Sequence, residues 1–208
     1  PAADPLFLND VLYNLLGTHA TFSAIIAILL VAHEYRYNTI NYTLTSSNNR
    51  LKVLAAKVIV ITAYTLIAGI IVMLLAYMGV RLGLDLKNVA LGPQNIKLVE
   101  ILWQNTAYAL GYAWTGIILA LLIRGLVGSI VAFFLLPTAE GILSLILKGN
   151  TKFLPFRALD AVAAIVPTNG PVSDLTFLSH TAALGVFSIY LVVFGALAAV
   201  TFVRRDAN

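Results

Sequence analysis

Four long stretches of the chain contain no Asp, Glu, Lys or Arg: residues 11–33, 58–80, 101–123 and 175–203. Each exceeds the about 20 mostly apolar residues that a helix needs to cross the hydrocarbon layer of a bilayer. Inside that layer, only helices and closed barrels satisfy their own backbone hydrogen bonds. The pattern therefore predicts membrane-spanning helices.

A fifth stretch, residues 126–147, is as apolar as the others apart from Pro137 and Glu140. We therefore predict an all-α polytopic membrane protein whose residues 1–208 form a single transmembrane domain. The predicted spans cover residues 11–32, 53–80, 101–123, 126–147 and 181–203. The first span is the weakest, because its first half is diluted by the polar residues Asn14, Thr18, His19, Thr21 and Ser23.

A short amphipathic segment precedes the last span. Its apolar residues recur at helical spacing: Phe156, Leu159, Val162, Ala163 and Val166. Arg157 and Asp160 lie off this stripe. The segment therefore predicts a short helix that lies in the membrane interface or dips into it.

Five spans place the two ends of the chain on opposite faces of the membrane. One face then holds residues 33–52, the turn at residues 124–125 and residues 204–208. Lys and Arg are denser on this face than on the other, so the positive-inside rule predicts that it is cytoplasmic.

The composition agrees with a membrane protein. Hydrophobic residues make up 60% of the chain and charged residues 11%, with a mean hydropathy of +0.92. Such a chain is too apolar to be disordered or to fold as a water-soluble domain. The net charge of +4 could favour nucleic acid, but the Lys and Arg residues are scattered singly, so we expect no nucleic-acid partner.

Motifs for catalysis or metal binding are missing from the sequence. There is no cysteine, no G-x-S-x-G elbow and no G-x-x-x-x-G-K-S/T loop. His33 and Glu34 begin a zinc-protease motif, but Tyr37 stands where its second histidine is required. We therefore predict no catalytic residue, no metal site and no cofactor in this chain.

The connector between the first two spans, residues 33–50, is the most informative segment. Tyr37, Ile40 and Leu44 fall on one helical face, so the connector can form an amphipathic helix on the membrane surface. Periodicity alone leaves open a plain interfacial loop. Lys57, early in the next span, is expected to reach back to the lipid headgroups.

Six residues of the connector and the next span follow a recognisable order and spacing: Glu34, Arg36, Thr39, Leu44, Arg50 and Lys57. The chain thereby resembles the permease subunits of type 2 ATP-binding-cassette (ABC) exporters. It departs from that family at Asn38, where Gly is usual, and at Ser47, where Pro is common. The resemblance extends to the span pattern and to the hydrophobic segment 154–156.

The resemblance implies a membrane-spanning permease subunit that forms the translocation path of an ATP-driven exporter. Segment 33–50 is then a cytoplasmic coupling helix that docks on a separate P-loop ATPase through Glu34, Arg36, Tyr37, Thr39, Ile40, Leu44 and Arg50. The expected assembly contains two copies of that ATPase, which bind ATP and Mg, and a second permease that is identical or similar. The resemblance also implies six helices in the intact subunit, one of them before Pro1, and a bacterial or archaeal plasma membrane.

Three polar residues within the spans are candidates for the translocation path: Gln104, Tyr108 and Glu140. Glu140 could instead couple an ion gradient to transport, or be a buried carboxyl bonded to a neighbouring helix near the Pro137 kink. The ion-coupled transporter is disfavoured because no second carboxylate lies within a span. An integral membrane enzyme, the third alternative, lacks nucleophile and metal motifs.

Overall fold

The computed structural model of the chain describes residues 5–37, 39–40, 49–88, 98–163 and 177–204. Within these ranges all regular structure is helical. A 3-10 helix, Lys148–Phe153, joins the fourth helix to the fifth. The six α-helices are α1 Pro5–Arg36, α2 Arg50–Leu86, α3 Leu98–Ile123, α4 Leu126–Leu147, α5 Pro155–Val162 and α6 His180–Arg204.

Five of these helices, all except α5, are long and apolar enough to cross a membrane. The predicted all-α membrane fold with five spans is therefore confirmed. Four of the five helices run past the predicted spans, because charges mark the edge of the hydrocarbon layer and a helix can continue beyond it, whereas α4 has the predicted bounds. With 37 residues, α2 is about 55 Å long, so it is tilted or extends beyond the hydrocarbon layer.

The first and third helices form the centre of the bundle, and their mutual contact is the most extensive in the structure. Small residues bring the two backbones together: Ala20, Ala24, Ala27, Ala109, Ala113, Gly116 and Ala120. A Cβ atom added to Gly116 would lie 2.7 Å from the carbonyl oxygen of Ala24. Small residues are typical of helix contacts in membranes, where close packing replaces the hydrophobic effect.

The polar residues that dilute the first span include two that face the protein interior. His19 and Ser23 are buried, and the Nε2 atom of His19 lies 3.3 Å from the Ser23 hydroxyl. Gly69 of α2 leaves room for the His19 ring, since a Cβ there would lie 3.3 Å from the ring. Hydropathy therefore understates this span, because these polar groups contact neighbouring helices instead of lipid.

The large exposed apolar side chains of α2, α4 and α6 point away from this centre. Examples are Ile67, Leu75, Val131, Phe134, Val192 and Leu197. Exposed apolar side chains on spans of this kind form the surface that faces lipid.

The short helix α5 packs mainly against α6 and also contacts α3 and α4. Phe156, Leu159 and Val162 of the predicted apolar stripe are buried in the protein, and so is Ala163, which follows the helix. Val166 lies outside the described residues. The apolar face of α5 therefore contacts other helices of the bundle.

Four chain segments meet at one end of the bundle: the end of α1, the start of α2, the α3–α4 turn and the end of α6. The turn between α3 and α4 has only two residues, 124–125, and Arg124 adopts a positive φ of 58° there. Hydrogen bonds from Arg50 and Arg124 to the last turn of α6 show that these segments share one face, as predicted. We call it the connector end.

Candidate functional site

An ion pair joins α1 to α2 at the connector end. The Lys57 ammonium lies 2.6 Å from Oε1 of Glu34 and donates a second hydrogen bond, 3.1 Å long, to the Leu30 carbonyl. Lys57 is buried. The expectation that Lys57 reaches the headgroups is wrong, because Glu34 and the Leu30 carbonyl at the end of α1 supply it with partners inside the protein.

Arg36, Tyr37 and Thr39 of the connector point outwards. Tyr37 is 56% exposed, and its ring contacts both the His33 ring, at 4.4 Å between centroids, and the Arg36 guanidinium, at 5.7 Å. Thr39 is also exposed, and its backbone N–H donates to the Glu34 carbonyl over 3.0 Å. We call His33, Arg36, Tyr37 and Thr39 the exposed connector cluster.

The remaining predicted coupling residues have other surroundings. Ile40 is 2% exposed and belongs to the main hydrophobic core. Arg50 begins α2, where Asn49 caps the helix by accepting hydrogen bonds from two backbone amides. Residues 41–48, which include Leu44, lie outside the described residues, so the amphipathic helix stays a prediction there.

Two arginines bind the carbonyl end of α6. Arg50 donates to the Val203 carbonyl over 3.1 Å, and Arg124 donates to the Thr201 carbonyl over 3.3 Å. The last carbonyls of a helix lack partners within the helix and carry a partial negative charge, which cations stabilise. Arg124 also lies over the ring of Tyr35, 5.4 Å from its centroid. The end of α6 is therefore bonded both to the start of α2 and to the turn between α3 and α4, and α2 is bonded to α1.

Arg124 was not predicted from the sequence to be a site residue. The available signal was its position: a single arginine between two long apolar stretches must lie at a membrane face. Its partners could not be inferred, because they are backbone carbonyls on a helix far along the chain.

A second set of polar groups surrounds α5, which contacts α3, α4 and α6. The Glu140 carboxylate of α4 accepts hydrogen bonds from the backbone amides of Phe156, at 3.0 Å, and Arg157, at 3.2 Å. These amides belong to the first turn of α5, where no carbonyl of the same helix is available. A carboxylate at a helix N-terminus also interacts favourably with the helix dipole. Glu140 thus caps α5 from another helix.

Asp160 joins α5 to α3. Its Oδ1 atom lies 3.3 Å from the Tyr108 hydroxyl, which lies 3.1 Å from the Tyr112 hydroxyl. A carboxylate can only accept, so Tyr108 donates to Asp160 and accepts from Tyr112. Burial raises the pKa of Asp160 from 3.8 to about 6, although the nearby Arg157 charge and the Tyr108 hydrogen bond oppose the shift.

Of the three residues predicted for the translocation path, two contact α5 and the third does so in none of the contacts described above. Tyr108 contacts Asp160 of α5 and Glu140 contacts the first amides of α5, whereas Gln104 is buried one helical turn before Tyr108 on α3. Arg157 of α5 donates to the Ser144 hydroxyl of α4 over 3.3 Å. Polar contacts thus connect α3, α4 and α5 within the bundle.

Comparison with known proteins places this architecture in a family. A family model described as a protein of unknown function, DUF2705, matches residues 5–207. The chain belongs to the DUF2705 family. The DUF2705 match extends over every helix described above, from the start of α1 to the end of α6. No curated protein and no solved structure matches the chain.

Among the described residues of this DUF2705 chain, no three His, Asp or Glu side chains are close enough to hold a metal ion. Several of its charged groups contact other protein groups: Lys57 pairs with Glu34, and Arg50 and Arg124 donate to carbonyls of α6. The described geometry offers charged contacts that join helices and an exposed cluster at one end.

Proposed function

We propose that the chain is the membrane-spanning permease subunit of an ATP-driven ABC exporter. In this proposal it pairs with a second, identical or similar permease and with two copies of a P-loop ATPase that bind ATP and Mg. The proposed location is a bacterial or archaeal plasma membrane. The resemblance of residues 33–57 to type 2 exporter permeases supports this proposal.

The observation that carries the proposal is the division of the connector motif into two sets. Glu34 faces inwards and pairs with Lys57 of α2, whereas Arg36 and Tyr37 face outwards at the end of the bundle. A docking segment needs both features. The outward residues can contact a partner, and the inward pair fixes the direction of the connector relative to the spans.

The contacts at the connector end also suggest how movement of a partner would reach the spans. A force on the exposed connector cluster acts on α1 directly and on α2 through the Glu34–Lys57 pair. Arg50, at the start of α2, carries it to the end of α6 through the Val203 carbonyl. Rigid-body movement of an ATPase would then tilt these helices together and change access to the path.

Photo-crosslinking tests the proposal. A photoreactive phenylalanine replaces Tyr37, and the chain is co-expressed with its neighbouring reading frames, among which the proposal requires a P-loop ATPase. The matched control places the same residue at Tyr64, which is exposed on the part of α2 within the membrane. We expect a crosslink to the ATPase from position 37 and none from position 64. A complex that purifies intact but gives no crosslink from position 37 would contradict the proposal.

The ion-coupled alternative assigns a different role to Glu140. A coupling carboxylate must exchange protons or ions with water. Glu140 instead accepts hydrogen bonds from the amides of Phe156 and Arg157, which gives it a structural task. This geometry supports a structural role for Glu140, which the ion-coupled alternative does not explain.

A further inference from the structure

A cavity of about 300 Å³ lies between α3, α4, α6 and the first turn of α5. Its wall includes Leu119, Leu136, Phe156, Phe187 and Phe194. The volume is twice the ~150 Å³ of an apolar cavity that holds benzene, so a ligand with an aromatic ring and a short alkyl chain fits.

One charged residue, Glu140, is among those that line this cavity. Its Oε2 atom accepts from two backbone amides, at 3.0 and 3.2 Å, whereas Oε1 has only a longer contact of 3.3 Å with the Phe156 amide. A carboxylate oxygen accepts about two hydrogen bonds, so Oε1 can accept another. The Arg157 guanidinium does not line the cavity and donates to Ser144 instead.

We infer that this cavity binds an amphipathic cation, a molecule with an apolar body and one ammonium group, with the ammonium group on Glu140. In apolar surroundings, a charge is favourable only beside an opposite charge, and Glu140 supplies a negative one. An anionic headgroup would be repelled at the same place. The inference concerns binding by this chain alone and does not depend on an ATPase partner.

Binding to the purified full chain in phosphatidylcholine nanodiscs tests the inference. The probe is tritiated 5-phenylpentylammonium, whose N–H groups can donate to Oε1; its neutral counterpart of equal size is hexylbenzene, and empty nanodiscs give the background. We expect saturable binding of the cation, at least tenfold tighter than that of hexylbenzene. Equal affinity for the two would overturn the inference and identify a site for hydrocarbon chains. No saturable binding of the cation would overturn it as well.

Substitutions locate the site. Glu140→Gln keeps the shape and an oxygen for the α5 amides, so it should weaken cation binding at least tenfold and change hexylbenzene binding less than twofold. Leu136→Trp fills the cavity and should weaken both. The matched control is Leu135→Trp, because Leu135 is exposed beside the cavity and does not line it. Unchanged cation binding in Glu140→Gln or in Leu136→Trp would overturn the inference. If Glu140→Gln does not fold, the ligand comparison in the wild type and the two tryptophan variants decide.

Discussion

Replacement of Lys57 by Met should destabilise the protein strongly. The ammonium of Lys57 is the partner of Glu34 Oε1, and Glu34 Oε2 is buried without a hydrogen-bond partner among the described residues. Without the Lys57 ammonium, the Glu34 carboxylate would lose its ion-pair partner. Losing one partner of a fully buried pair costs about 3–5 kcal/mol. The Glu34 side chain is 23% exposed, so water can solvate part of it, and we expect a loss of about 2–3 kcal/mol.

A double-mutant cycle isolates this pair. The free energy of unfolding is measured by denaturant titration in detergent for Lys57→Met, Glu34→Gln and the double variant. The double variant should be less destabilised than the sum of the two single variants by about 1–2 kcal/mol. Lys52→Met is the matched control, because Lys52 lies on the same helix and is exposed, and it should change stability by less than about 0.5 kcal/mol. Additive effects, or equal losses in Lys57→Met and Lys52→Met, would refute the reasoning.

Three further predictions test the packing and the polar contacts. Gly116→Ala should cost about 1–3 kcal/mol of stability, because its Cβ would meet the Ala24 carbonyl oxygen at 2.7 Å. Gly79→Ala, at an open helical position, should be neutral or stabilising. Glu140→Leu should lower the melting temperature in detergent more than Glu140→Gln, because only leucine leaves the α5 amides without an acceptor. The pKa of Asp160 is raised in the folded state, which favours the protonated form there. As the pH rises from about 4 to about 6, the stability of the wild type should therefore fall relative to that of Asp160→Asn.

Each of these has a result that would count against it. Equal stability of Gly116→Ala and Gly79→Ala would mean that α1 and α3 are not in close contact. A Glu140→Gln variant as unstable as Glu140→Leu would mean that the charge, and not the hydrogen-bond acceptor, holds α5. Parallel pH profiles of the wild type and Asp160→Asn would show that this carboxyl does not gain protons on folding.

The five spans could be predicted from the sequence because the cost of charges in hydrocarbon leaves a clear mark on the chain. That mark gives the edge of the membrane and not the end of the helix. The first helix continues to Arg36, past its predicted end at residue 32, because polar residues can continue a helix once the chain leaves the hydrocarbon layer.

The contacts of the candidate site could be predicted only in part. Glu34 and Arg36 were identified through a resemblance, and the partner of Glu34 was not. Glu140 was recognised as costly in a span, but its contact with Phe156 depends on how α5 packs against α4. Periodicity reports which face of a helix is apolar. It does not report which side chain of another helix a polar group on that face will meet.

The central claim is that the connector end docks on an ATPase, and a cryo-electron microscopy structure of the co-expressed complex tests it most directly. The account predicts the ATPase at the connector end, with Arg36 and Tyr37 in contact with it and Glu34 still paired with Lys57. An ATPase bound elsewhere, or a connector end that faces the other side of the membrane, would contradict it.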